Sequence, residues 1–171
     1  GVRVERVPGN LTDHYDPRDK VLRLSDSVGG STSIAAIGVA AHEVGHAIQD
    51  KEGYAFLRFR NTIVPVVNIG SMLSMPLFLI GLLMGSLNLL NLGILLFCGV
   101  LVFHLVTLPV EFNASRRAMQ TLESRYILSG EELTKARKVL TAAALTYVAA
   151  LLNSILQLIR LLNISKRNNR R

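Results

Sequence analysis

The sharpest chemical signal in this 171-residue chain is His42-Glu43-Val44-Gly45-His46, two histidines four positions apart with a glutamate directly after the first. On a helix, positions i and i+4 stand on one face, so both imidazoles reach a single metal ion. Glu43 lies one residue along and addresses a water at that ion without joining its ligands. A catalytic zinc takes three protein ligands and leaves a fourth position for water. The metal lowers the pKa of that water, and a carboxylate placed like Glu43 takes its proton as it attacks a carbonyl.

Two histidines call for a third ligand, and the choice is small. Apart from the pair, the chain holds only His14 and His104. His104 falls in the middle of an apolar segment, where a helix–helix hydrogen bond is the better reading. Glu111 is the first charged residue after 50 positions, 61–110, that contain no Asp, Glu, Lys or Arg. It reads either as the third zinc ligand or as an interfacial charge marking a helix end.

The elements that must position these groups follow from patterning. Residues 34–50 read as a helix, with Ser31, Thr32 or Ser33 as its N-cap. Its interior is small-sided: Gly38 and Gly45 each cost about 1 kcal/mol relative to alanine, a cost normally met where another element packs close. Ahead of it, residues 2–7 and 21–25 alternate in the manner of strands, giving a small β element such as a hairpin. The turn-rich stretch DHYDPR between them is a candidate edge strand for a peptide that pairs by strand addition. His14 or Tyr15 would then stand where an oxyanion forms, unless they merely satisfy a turn.

Residues 63–85 and 88–110 are each 23 long, about 35 Å as helix, which is enough to cross a hydrocarbon core of about 30 Å. They predict a transmembrane hairpin, with Pro65, Pro76 and Pro109 kinking or ending helices. Arg58 and Arg60 precede the pair, Arg116 and Arg117 follow it, and the turn carries no charge. By the positive-inside rule both ends face the cytoplasm. Arg116 and Arg117 are also candidates for a substrate carboxylate. A capping-box pattern, Ser129 to Glu132, opens a further helix. Its uncharged stretch 139–159 either spans the membrane or packs along the bundle.

Only 18% of residues are charged, against about 25% in soluble domains, so composition excludes an ordinary soluble enzyme. A single cysteine, Cys98, excludes a disulfide scaffold. The net charge of +7 does not point to nucleic acid, because residues 1–60 are neutral and the excess flanks the apolar segments and fills the tail from Arg160 to Arg171.

The stretches VPGNLTDHYDPRDKVLRLS, IAAIGVAAHEVGHAIQD and LPVEFNASRRAM resemble the YugP-like family of bacterial membrane zinc metallopeptidases. The resemblance covers nearly the whole chain. It implies a membrane-embedded gluzincin, similar to proteases of the HtpX type, that uses one catalytic zinc ion. Carried over, His42 and His46 are ligands, Glu43 is the general base and Glu111 is the third ligand. The family usually has a membrane helix upstream, in keeping with a chain that begins at Gly1. Two positions depart from the pattern: Asn113 stands where the family has an acid, and Ser115 where HtpX-like proteases have Asp. A carboxylate that orients a histidine must then come from elsewhere, with Asp13, Asp16 and Asp50 as candidates.

The expected architecture is a mainly α membrane protein: a small zincin-like metalloprotease domain with a short β element, interrupted by a transmembrane helical hairpin. Residues 1–60 and 111–138 form the zinc domain, 61–110 the hairpin, and 139–171 an apolar helix with a basic tail. The expected function is zinc-dependent hydrolysis of peptide bonds in a peptide or membrane-protein substrate. Its expected place is the cytoplasmic face of a bacterial plasma membrane, with the bilayer and not nucleic acid as partner. The alternatives are a membrane scaffold or assembly factor that keeps a metal site, and a zinc hydrolase acting on a non-peptide amide or ester.

Overall fold

A computed structural model describes residues 1–169; the tail residues Arg170 and Arg171 lie outside the described residues. The element order is β1 (Arg3–Val7), β2 (His14–Asp16), β3 (Val21–Ser25), α1 (Asp26–Gly29), α2 (Ile34–Lys51), α3 (Ala55–Met84), α4 (Leu87–Ser124) and α5 (Gly130–Asn168). The chain divides into two compact units. One comprises Gly1–Arg58 with Pro109–Thr146, and the other Phe59–Leu108 with the chain from Tyr147 onward.

In the first unit the sheet order is β1-β3-β2. β1 pairs in parallel with β3, from Arg3 opposite Val21 to Val7 opposite Ser25, while β2 runs antiparallel to β3, with Tyr15 opposite Leu22. The two strands legible from alternation are therefore neighbours but not a hairpin. The hairpin is β2–β3, closed by a turn in which Lys20 takes a positive φ of 54°. β3 lies in the middle because its Val21, Leu22 and Ser25 are buried. The Asp13 carboxylate accepts from both the Ser25 N–H (2.8 Å) and its hydroxyl (2.9 Å), which fixes the strand end.

Helix α2 begins where Ser33 caps it, its hydroxyl accepting from the Ala36 N–H at 3.2 Å. Its Ala41 enters a core with Ala118 and Leu122 of α4 and Leu128, Ala136 and Leu140 around the start of α5. At that start, the Glu132 carboxylate reaches back to the Ser129 N–H at 3.4 Å, the return half of a capping box.

The second unit is helical, with a core of Phe78, Leu90, Ile94 and Leu161. Within it α3 and α4 approach through glycines. A Cβ on Gly93 would lie 2.8 Å from the Phe78 nitrogen, and the Ser74 hydroxyl donates to the Gly93 carbonyl at 2.8 Å. Large apolar side chains face outward along these helices, including Val66, Met72, Leu95 and Leu156, and Leu83 is 87% exposed. Outward apolar surface of this extent suits lipid. Among the described residues three helices, α3, α4 and α5, are long and apolar enough to cross a membrane, and the chain is a mainly α membrane protein.

The prolines do not end helices: Pro65 and Pro76 lie inside α3 and Pro109 inside α4. Membrane helices carry internal proline because neighbouring groups and local adjustment satisfy the freed carbonyls. The second apolar segment thus continues as one helix past position 110, and Glu111 stands on α4 itself.

Candidate metal centre

Helix α2 presents His42 and His46 on one face, and α4 brings Glu111 against it. The close approach depends on Gly45: a Cβ there would overlap the carbonyl oxygen of Ala114 on α4. Glu111 is 3% exposed and His46 9%. His42 Nε2 lies 3.1 Å and His46 Nε2 3.6 Å from the same oxygen, Glu111 Oε2. The imidazole rings meet edge to face, with centroids 4.7 Å apart. One ligand atom from each of the three residues lies within 4.8 Å of the others, the group of His and acidic side chains among the described residues that could hold a metal ion.

The other ring nitrogens are engaged. His42 Nδ1 meets the Ser115 hydroxyl at 3.1 Å, and His46 Nδ1 meets Gln49 Oε1 at 2.9 Å. The partners that orient the histidines are therefore an amide and a hydroxyl. Asp13, Asp16 and Asp50 do not serve: Asp13 binds Ser25, Asp16 binds Arg23 at 2.9 Å, and Asp50 binds Tyr15 and Lys20. Gln49 is fully buried. Its Nε2 donates to the Val110 carbonyl at 2.8 Å and to Asn113 Oδ1 at 2.9 Å, which also accepts from Arg117 Nε at 2.7 Å. Gln49 was missed in the sequence, although helical spacing held a signal, since it stands three positions after His46; Ser115, four after Glu111, was noted only as lacking a carboxylate, and it is its hydroxyl that meets His42.

Glu43 is buried but stands apart from the three converging atoms, and its Oε2 accepts from the backbone N–H of Tyr15 at 2.9 Å. β2 is an edge strand of the sheet, and this hydrogen bond sets Glu43 against that edge. The Tyr15 side chain turns elsewhere, donating its hydroxyl to Asp50 at 2.8 Å. Burial, then the hydrogen bond and charge of Asp50, push this phenol up to about 12. His14 is exposed, its Nδ1 2.8 Å from the Thr12 carbonyl, a local turn contact. Burial disfavours the charged form of His46, but the hydrogen bond and charge of Glu111, with the charge of Glu43, outweigh it and raise its pKa.

Arg116 and Arg117 part ways. Arg117 pairs with Glu52 at 2.7 Å. Arg116 is exposed and lines a cleft of about 390 Å³ with Phe112, Ser115, Met119, Arg137 and Leu140. Ser115 is thus shared between that cleft and His42.

Two imidazole nitrogens and one carboxylate oxygen form a donor set that suits zinc with a position left open. Comparison with known proteins agrees. Residues 1–166 match the family described as "Putative neutral zinc metallopeptidase". The chain is 54% identical over 163 residues to "Putative membrane protease YugP" of Bacillus subtilis (strain 168), an alignment covering 95% of this chain and 72% of that protein. No solved structure matches it. With a family match along almost its entire length, the chain belongs to the neutral zinc metallopeptidase family so described.

Proposed function

We propose that the chain is a membrane-embedded zinc metallopeptidase, with His42, His46 and Glu111 holding one zinc ion and Glu43 as general base. Its substrate is a peptide or membrane protein, and it works at the cytoplasmic face of a bacterial plasma membrane. The observation that carries this reading is the convergence of His42 Nε2, His46 Nε2 and Glu111 Oε2 with Glu43 beside them and unneeded as a ligand.

When bound, zinc supplies Lewis acidity to a carbonyl and acidity to a water. The chain supplies the rest. His42 and His46 both turn Nε2 toward Glu111, with their Nδ1 atoms engaged by Ser115 and Gln49. The Glu43 carboxylate takes the proton of the attacking water and delivers it to the leaving amine nitrogen. A peptide lying along the free edge of β2 adds to the sheet by main-chain hydrogen bonds and passes Glu43. The Tyr15 N–H holds the carboxylate until such a strand arrives. Burial of Glu43 limits access of bulk water to the proton it carries.

Glu43→Gln tests the proposal. The amide is nearly isosteric but cannot accept the proton, so peptide cleavage in proteoliposomes falls by about 100- to 10,000-fold while bound zinc stays at wild-type stoichiometry. Cleavage unaffected by the change, or a cellular role that persists in the variant, would favour a scaffold that keeps a metal site.

A further inference from the structure

His46 belongs to a hydrogen-bond chain whose direction is set by its ends. The Arg117 guanidinium has only donors and the Val110 carbonyl only an acceptor. Arg117 Nε donates to Asn113 Oδ1 at 2.7 Å, so that atom is the amide oxygen. An oxygen at Asn113 and the carbonyl at Val110 both require an N–H from Gln49, at 2.9 and 2.8 Å. Gln49 must therefore turn its oxygen to His46 Nδ1, 2.9 Å away, and an oxygen there requires Nδ1 to carry the proton. The outer end is tied down by the Arg117–Glu52 ion pair at 2.7 Å. We propose that Gln49, held by Val110 and by the Asn113–Arg117 pair, is a positioning residue that locks neutral His46 in the Nδ1–H tautomer and leaves the Nε2 lone pair facing Glu111.

The site is asymmetric in this respect. Ser115 faces His42 Nδ1 with a hydroxyl, which can donate or accept, so it selects no tautomer. The distances agree: His42 Nε2 sits at hydrogen-bonding range of Glu111 Oε2, 3.1 Å, whereas His46 Nε2 stands off at 3.6 Å, as a bare lone pair does from a carboxylate oxygen. The chain also gives Asn113 a task. It must accept from two donors at once, from Gln49 and Arg117, which an aspartate at that position would do equally well.

The experiment reads the tautomer directly, in metal-free protein labelled with ¹⁵N-histidine, in detergent at mildly alkaline pH. His46 is identified by the signal lost in His46→Gln. The expected spectrum has a protonated Nδ1 and an unprotonated Nε2 at His46. Gln49→Leu mixes the tautomers and lowers zinc affinity by roughly 10- to 100-fold. Asn113→Asp preserves both, and Asn113→Leu, which leaves the Val110 bond in place, gives a smaller change in the same direction and serves if Gln49→Leu does not fold. An Nε2–H tautomer in the wild type overturns the proposal. So does an unchanged tautomer in Gln49→Leu with zinc affinity within about threefold of wild type. The zinc arm rests on the metallopeptidase reading, but the tautomer does not. A protein that binds no zinc yet shows the predicted spectrum would refute that reading alone.

Discussion

Burial works against a charge on His46, and the hydrogen bond and charge of Glu111, with the charge of Glu43, outweigh it. In the metal-free protein its proton is bound more tightly than by a free imidazole, whose pKa is about 6.5. If His46 holds zinc as proposed, zinc and proton compete for the same ring, so zinc affinity falls as pH falls, and the decline sets in above that value. Glu111→Gln removes the leading cause of the raised pKa, so its affinity is weaker throughout and its decline begins at lower pH. A chelator competition titrated across this range measures both curves, and a common break point would uncouple His46 from Glu111. At this scale the sequence was most legible where spacing is local. His42, Glu43 and His46 declare themselves within five positions. The pairing of His42 with Ser115 spans 73 positions and that of Gln49 with Asn113 spans 64, and neither distance is encoded in any window of the chain. Gln49 carries no charge, so its residue type alone does not mark it as the partner of a histidine.

Close packing of helices turns on single atoms, and two glycines of α2 separate its effects. Both were legible as a sign of close approach, yet only Gly45 is in need of it. A Cβ at Gly45 meets the backbone of Ala114, which cannot swing aside, whereas one at Gly38 reaches only the Ala136 Cβ at 3.9 Å, an ordinary contact. Gly45→Ala is therefore expected to force α2 from α4, costing about 1–3 kcal/mol and weakening zinc binding with it. Gly38→Ala gains up to about 1 kcal/mol of helix propensity and leaves zinc affinity unchanged. Thermal unfolding and zinc titration of the two variants side by side check this; equal effects would mean that Gly45 does not set the approach. Element types were readable because period and capping are local properties, as Ser33 shows. Strand pairing was not: β1 joins β3 in parallel, Arg3 opposite Val21 and Val7 opposite Ser25, and the chain between the strands gives no sign of that register. Proline left two options open in the sequence, a kink or an end, and Pro109 lies within α4.

The 50-residue uncharged run was the plainest feature of the whole sequence, and it interrupts the chain between His46 and Glu111. If 61–110 is an even number of spans, both residues lie on one side of the bilayer, a necessary condition for a shared ion. The side is set by charge: Arg58, Arg60, Arg116 and Arg117 flank the run, and the turn between α3 and α4 has none. In a Cys98→Ala background, free of the sole native thiol, three exposed positions discriminate the orientations. Asn88→Cys, beside the turn, should react with a membrane-impermeant maleimide on intact cells. Lys51→Cys, at the end of α2, and Arg125→Cys, just past α4, should react only after permeabilisation. Labelling of Lys51→Cys and Arg125→Cys from outside, with Asn88→Cys protected, would move the site to the outer face. Labelling of Lys51→Cys and Arg125→Cys from opposite sides would break the even count, and with it any reading in which His46 and Glu111 serve one metal ion.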